Sequence, residues 1–133
     1  MGGVFDSFFK GIAIGVQDGA QLRAAGAQDS AYFRAIKASD ENAVDALRRG
    51  ALATGQTRMR GSMLLAKQRV AFANSGIDAS TGTPQDVASS SALFNELDAL
   101  TTQNNAAREA LGHRRTSTNL TAQRFAARAA AED

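Results

Sequence analysis

KQRVAFANSGIDASTGTPQDVASSSALFNELDALTTQNNAAREALGHR, Lys67 to Arg114, reads as the end of one long helix, a turn and the start of another. Asn74, Ser75 and Gly76 stop the first helix, with Gly76 predicted in a left-handed cap that costs little without a Cβ. Thr83 and Pro84 start the second, Thr as N-cap and Pro at the first helical position. Asp86, three residues after Thr83, approximates a capping box with Asp in place of the usual Glu or Gln. The turn is therefore placed at 76–83.

Apolar residues on either side of the turn recur at helical spacing. Met59, Met63, Ala66, Val70, Ala73 and Ile77 step by fours and threes, and Leu52 lies one heptad before Met59. Leu93, Leu97, Leu100, Ala107 and Leu111 do the same beyond the turn, with Asn104 at a polar position between Leu100 and Ala107. A buried Asn in such a seam fixes register at some cost in stability. The two seams are predicted to pack on each other. Arg58, Arg60, Lys67 and Arg69 flank the first, and Asp86, Glu96 and Asp98 make the second arm acidic. An antiparallel hairpin brings Lys67 and Arg69 toward the level of Asp86.

The rest of the composition agrees. The chain has 133 residues, one proline, no tryptophan, one tyrosine and seven phenylalanines, and much of its apolar content is alanine. Alanine favours helix but buries little area per residue. Such a chain is expected to be all-α, with a thin core that relies on copies or partners. The expected architecture is an elongated antiparallel helical hairpin with an extra amphipathic N-terminal helix. Residues 1–20 form the N-terminal segment, 21–115 the hairpin and 116–133 a helical C-terminal tail. Gly26, Gly50 and Gly55 weaken the stretch 20–57, since each costs about 1 kcal/mol against Ala in an exposed helix interior.

In the N-terminal segment Phe5, Phe8, Phe9, Ile12 and Val16 make one apolar face, while Gly11, Gly15 and Gly19 recur every four residues. The face suits docking to a membrane or to a partner protein. No run of 18 apolar residues is present, so a conventional membrane span is not expected.

Catalytic chemistry is not expected either. Cysteine is absent and His113 is the only histidine, which leaves no zinc-type ligand set. No serine sits in a nucleophile elbow, and no glycine-rich run ends in the Lys-Ser/Thr of a phosphate loop. Glu96 and Asp98, two residues apart, do not share a helix face. The chain is read as non-enzymatic, with no cofactor and no metal. The net charge of +2 is too small to imply nucleic-acid binding by itself. The basic set Arg58, Arg60, Lys67 and Arg69 fits phosphates, an acidic partner, anionic lipid or the solvated face of a coiled coil.

Gln68-Arg69-Val70-Ala71, Ser75-Gly76-Ile77-Asp78, Ser80-Thr81-Gly82-Thr83-Pro84 and Glu96-Leu97-Asp98-Ala99-Leu100, with Asn104, Asn105, Ala106, Arg108, Glu109, Ala110 and Gly112, resemble the internal virion proteins of short-tailed bacteriophages. The resemblance spans about Gly61 to Arg115. It implies a protein carried in the virion interior or tail channel, ejected at infection, and then part of a conduit through the host envelope. It implies a homo-oligomer in contact with portal, tail or other internal virion proteins, with the host outer membrane and, non-specifically, with phage DNA. The chain is shorter than the larger members of that family, so a scaffold or adaptor role in the capsid–tail channel stands beside the ejection role. A DNA-associated helical virion protein is the other reading.

Overall fold

The computed structural model describes the backbone of residues 3–132 and the side chains of residues 19–131. The chain is all-α, with two long helices, α1 (Gly3–Asn74) and α2 (Gly82–Glu132). Pro84, the one proline, falls in the first turn of α2, where a missing N–H costs nothing, so neither helix interior carries a breaker. α1 is not interrupted near residue 20, so the expected extra N-terminal helix is not a separate element. The side chains of Phe5, Phe8, Phe9, Ile12 and Val16 lie outside the described residues. The C-terminal tail is likewise the continuation of α2.

The chain divides into two compact units. One comprises Met1–Asp40 with Arg114–Asp133, the other Glu41–His113. In each, a segment of α1 packs antiparallel on a segment of α2.

Within Glu41–His113, α1 ends as the sequence predicts. Gly76 takes φ +73°. The Ile77 N–H donates to the Phe72 carbonyl at 3.0 Å and the Gly76 N–H to the Ala73 carbonyl at 3.1 Å. These are the paired bonds of a Schellman cap, which satisfy carbonyls left over at the helix end. Asp78 then organises the turn: its Oδ1 accepts from the Ser80 N–H at 2.9 Å and from the Ser80 hydroxyl. These bonds, the hydroxyl's first, hold the Asp78 carboxyl below its usual pKa. α2 begins at Gly82, itself at φ +63°, rather than at Pro84 with Thr83 as the flanking cap. Two residues is the ordinary uncertainty of a helix end read from sequence.

The contact between the helices is made of small residues. On α1 the inward positions are Ala43, Ala46, Gly50, Thr54, Thr57, Gly61, Leu65, Gln68 and Phe72. On α2 they are Pro84, Ala88, Ser91, Asn95, Ala99, Thr102, Ala106, Ala110 and His113. From Gly50 and from Pro84 these positions recur every 11 residues, close to the 3.6-residue turn of a straight helix and unlike the 3.5 of a heptad seam. Two facing pairs set the register. A Cβ on Gly50 would collide with the Ala106 methyl, and a Cβ on Gly61 would lie 2.6 Å from the Asn95 Cγ. Only glycine allows the backbones this close.

Threonine fits such a contact because its hydroxyl is satisfied within its own helix. Thr54 donates to the Gly50 carbonyl at 2.7 Å, Thr57 to Ala53 at 3.0 Å and Thr102 to Asp98 at 2.9 Å. Each then buries no unpaired donor. Among the described residues the buried apolar side chains are all alanine: Ala43, Ala46, Ala99, Ala106 and Ala110. A buried methyl-sized group contributes about 0.8 kcal/mol, against about 1.5–3 kcal/mol for a buried Leu or Phe, so the hairpin is held by a thin layer.

The seams expected to join the arms do not do so. Met59, Met63, Ala66, Val70 and Ala73 on α1, and Leu93, Leu97, Leu100, Asn104, Ala107 and Leu111 on α2, are all exposed. The spacing was right for a stripe on each helix, but each stripe lies on the outer side. Leu52 stands two residues from both Gly50 and Thr54, and Leu97 two residues from both Asn95 and Ala99. At about 100° per residue, two steps carry a side chain to the opposite face. Periodicity reveals which residues share a face. Here close approach through Gly and Ala won the inner face.

Candidate outer faces and ion-pair sites

The outer stripes are the candidate functional surface of the Glu41–His113 unit. Along α1, Leu52 is 70% exposed, Met59 60% and Val70 59%; along α2, Leu93 is 61% exposed and Leu97 49%. They run along opposite edges of the helix pair, because each faces away from the inner contact. Large apolar side chains exposed in a row along one helix face make each stripe a candidate contact surface.

Ion pairs lace the rims of the same unit. Arg58 grips Glu96 with two bonds, Nε to Oε2 at 3.1 Å and Nη2 to Oε1 at 2.6 Å. The hydrogen bonds, more than the bare charge, hold the Glu96 carboxyl below its usual pKa and raise that of Arg58. Arg49 Nη2 reaches Glu109 Oε1 at 2.8 Å, and His113 lies 3.9 Å from the same oxygen. The basic-arm, acidic-arm complementarity takes the form of the Arg58–Glu96 and Arg49–Glu109 pairs, while Lys67 and Arg69 come to about the level of Asp86. Arg58 is committed to its partner helix. Of the basic set proposed to meet DNA or an acidic partner, Arg60, Lys67 and Arg69 stand exposed beside the α1 stripe.

Two polar groups inside this unit are unsatisfied. Gln68 Nε2 donates to the Ser91 hydroxyl at 3.2 Å, but Gln68 Oε1 has no partner, and neither has Asn95 Nδ2. A buried, unpaired polar atom costs about 1–3 kcal/mol.

The unit of Met1–Asp40 and Arg114–Asp133 has a different centre. Arg124 spans the helix pair to Asp29, with Nε to Oδ1 at 2.6 Å and Nη2 to Oδ2 at 2.8 Å. Arg128 adds a contact to Asp29 at 3.7 Å, and the Arg124 guanidinium lies 5.7 Å from the Phe33 ring centre, within cation–π range. The Arg124 hydrogen bonds are the main reason the Asp29 carboxyl sits below its usual pKa. A groove of about 370 Å³ adjoins the pair, walled by Leu22, Ala25, Gly26, Ala127 and Ala131. Gln28, Tyr32 and Arg128 line it as well, so its wall mixes apolar and polar surface and carries a second cation beside the Asp29–Arg124 pair.

Sequence reading missed the Asp29–Arg124 node, since 95 positions separate the two residues. Among the described residues, no three His, Asp or Glu side chains are grouped as metal ligands would be, and no helix is long and apolar enough to cross a membrane. No family model, curated protein or solved structure matches the chain.

Proposed function

We propose that this chain is a non-enzymatic helical assembly subunit of a short-tailed phage particle, an internal virion protein that leaves with the genome and helps form the conduit across the host envelope. The observation that carries the assembly part is the inversion of its apolar residues: small ones join the helices, and Leu52, Met59, Met63, Leu93, Leu97 and Leu100 stand outside. Those side chains are covered only when other chains lie against them. The phage setting comes from the resemblance of Gly61–Arg115 to internal virion proteins. In this reading Phe5, Phe8, Phe9, Ile12 and Val16 form the amphipathic face that engages the envelope or the portal and tail proteins, and Arg60, Lys67 and Arg69 lie toward acidic partners or passing DNA.

A permanent place in the capsid–tail channel would use the same outer faces. The protein content of particles before and after genome release tests the proposal. Loss of the chain from emptied particles, with its recovery in the host envelope fraction, supports ejection. Full retention overturns it in favour of the adaptor, and absence from particles overturns the phage setting.

A further inference from the structure

We infer that the chain assembles with copies of itself edge to edge, the α1 stripe of one copy packing against the α2 stripe of the next. The inner register carries the argument. Gly50 faces Ala106 and Gly61 faces Asn95, so across the helix pair Leu52 is level with Asn104, Met59 with Leu97 and Met63 with Leu93. The two outer stripes therefore occupy the same height on opposite edges. A second copy placed alongside in the same direction, with no axial shift, brings Met59 beside the neighbour's Leu97 and Met63 beside its Leu93. All four are about half exposed or more.

Charges at the two ends of the stripes agree with this placement. Val70 is level with Asp86, so Asp86 of one copy meets Lys67 and Arg69 of the next, all three exposed. At the other end Asp45 is level with Leu111, and Arg108 of the neighbouring copy falls within one turn of it. The symmetric alternative that packs two α1 stripes together brings the exposed Arg60, Lys67 and Arg69 of both copies to one interface, a like-charge juxtaposition that disfavours the pairing. Edge-to-edge contact is heterologous: each copy offers one stripe and accepts on the other, so the array continues until it closes. With no axial step between neighbours, closure gives a ring.

This inference rests on the assembly reading above and is independent of the phage setting. The absence of cysteine makes it directly testable. Positions 59 and 97 lie on opposite edges of one hairpin, beyond the roughly 7 Å Cα separation that a disulfide tolerates, so a bond between them joins two copies. Oxidation of the full chain carrying both Met59→Cys and Leu97→Cys should give a ladder of dimers, trimers and higher species, with circular dichroism showing unchanged helix content. Each single variant should give no ladder. A double variant that stays monomeric on oxidation, while light scattering of the parent shows self-association, overturns this register and leaves the assembly reading standing. A monomeric parent at high concentration overturns self-association itself. Dimers from Leu97→Cys alone, or from Met59→Cys alone, overturn the head-to-tail arrangement in favour of a symmetric pair.

Discussion

Gly50 and Ala106 meet across the helix pair with no room for a methyl group on the glycine. The relationship separates the glycines of α1 into two kinds. At Gly50 and Gly61 a side chain meets the opposite helix, while at Gly26 and Gly55 it meets nothing within 4 Å. Gly50→Ala should lower stability by about 1–3 kcal/mol, the usual cost of overpacking. Gly26→Ala and Gly55→Ala should raise it by about 0.4–1 kcal/mol, because alanine loses less backbone freedom on folding. Urea titration of the three variants checks the opposite signs.

Ala99 and Leu97 test which face is inside. Ala99 is fully buried and Leu97 about half exposed. Ala99→Leu should destabilise the chain by about 1–3 kcal/mol, although it makes the sequence more apolar. Leu97→Gln, measured at concentrations where the protein is monomeric, should change stability by no more than about 0.5 kcal/mol, as for an ordinary surface site. If the leucine seam joined the arms, the order would reverse.

Asn95 and Gly61 should behave as a coupled pair. Asn95→Ala removes a buried amide nitrogen that has no partner, and should stabilise the fold by up to about 1–3 kcal/mol. It also removes the Cγ and Nδ2 atoms that crowd a Cβ at position 61. Gly61→Ala should therefore cost less in the Asn95→Ala background than alone, and a double-mutant cycle reads the difference.

Acid should weaken the hairpin through Asp29 and Glu96. Hydrogen bonds from Arg124 and Arg58 depress these carboxyls below their ordinary values of 3.8 and 4.5. A carboxyl with a lowered folded pKa stabilises fully above its ordinary range, and that contribution is lost as pH falls through the folded value. Unfolding midpoints should thus decline on acidification below about pH 4.5. The decline should be shallower in Asp29→Asn and in Glu96→Gln, which are already less stable at neutral pH.

Gly76 carries the turn, and its φ of +73° is the left-handed conformation that a Cβ disfavours. Gly76→Ala should cost about 1–2 kcal/mol, while Gly76→Asn should cost less, since Asn visits this region more readily. Thermal melts of the two variants give the ordering.

The turn was legible in the sequence because local chemistry decides it: Gly76 at a helix end and Pro84 soon after the next start leave few alternatives. The helices were legible for the same reason, since alanine-rich stretches without internal proline have no competing fold. The inner face was not. Leu93, Leu97, Leu100 and Leu111 give a strong periodic signal, while Ala99, Ala106 and Ala110 give a weak one on the other side of the same helix. Hydrophobicity ranks the leucines higher; close approach through Gly50 and Gly61 selects the alanines. The long-range pairs Arg49–Glu109 and Asp29–Arg124 depend on register, which no local pattern contains.

The threonines at the inner contact have one more consequence. Thr54, Thr57 and Thr102 keep their hydrogen bonds within their own helices, so parting the arms between the rim ion pairs strands none of these hydroxyls. What separation exposes there is chiefly methyl surface, and little of it. Away from the Arg58–Glu96 and Arg49–Glu109 pairs and the Gln68–Ser91 bond, the arms are joined by a shallow zipper of small side chains. The cohesion of that stretch therefore depends on how closely Gly50 and Gly61 let the arms approach.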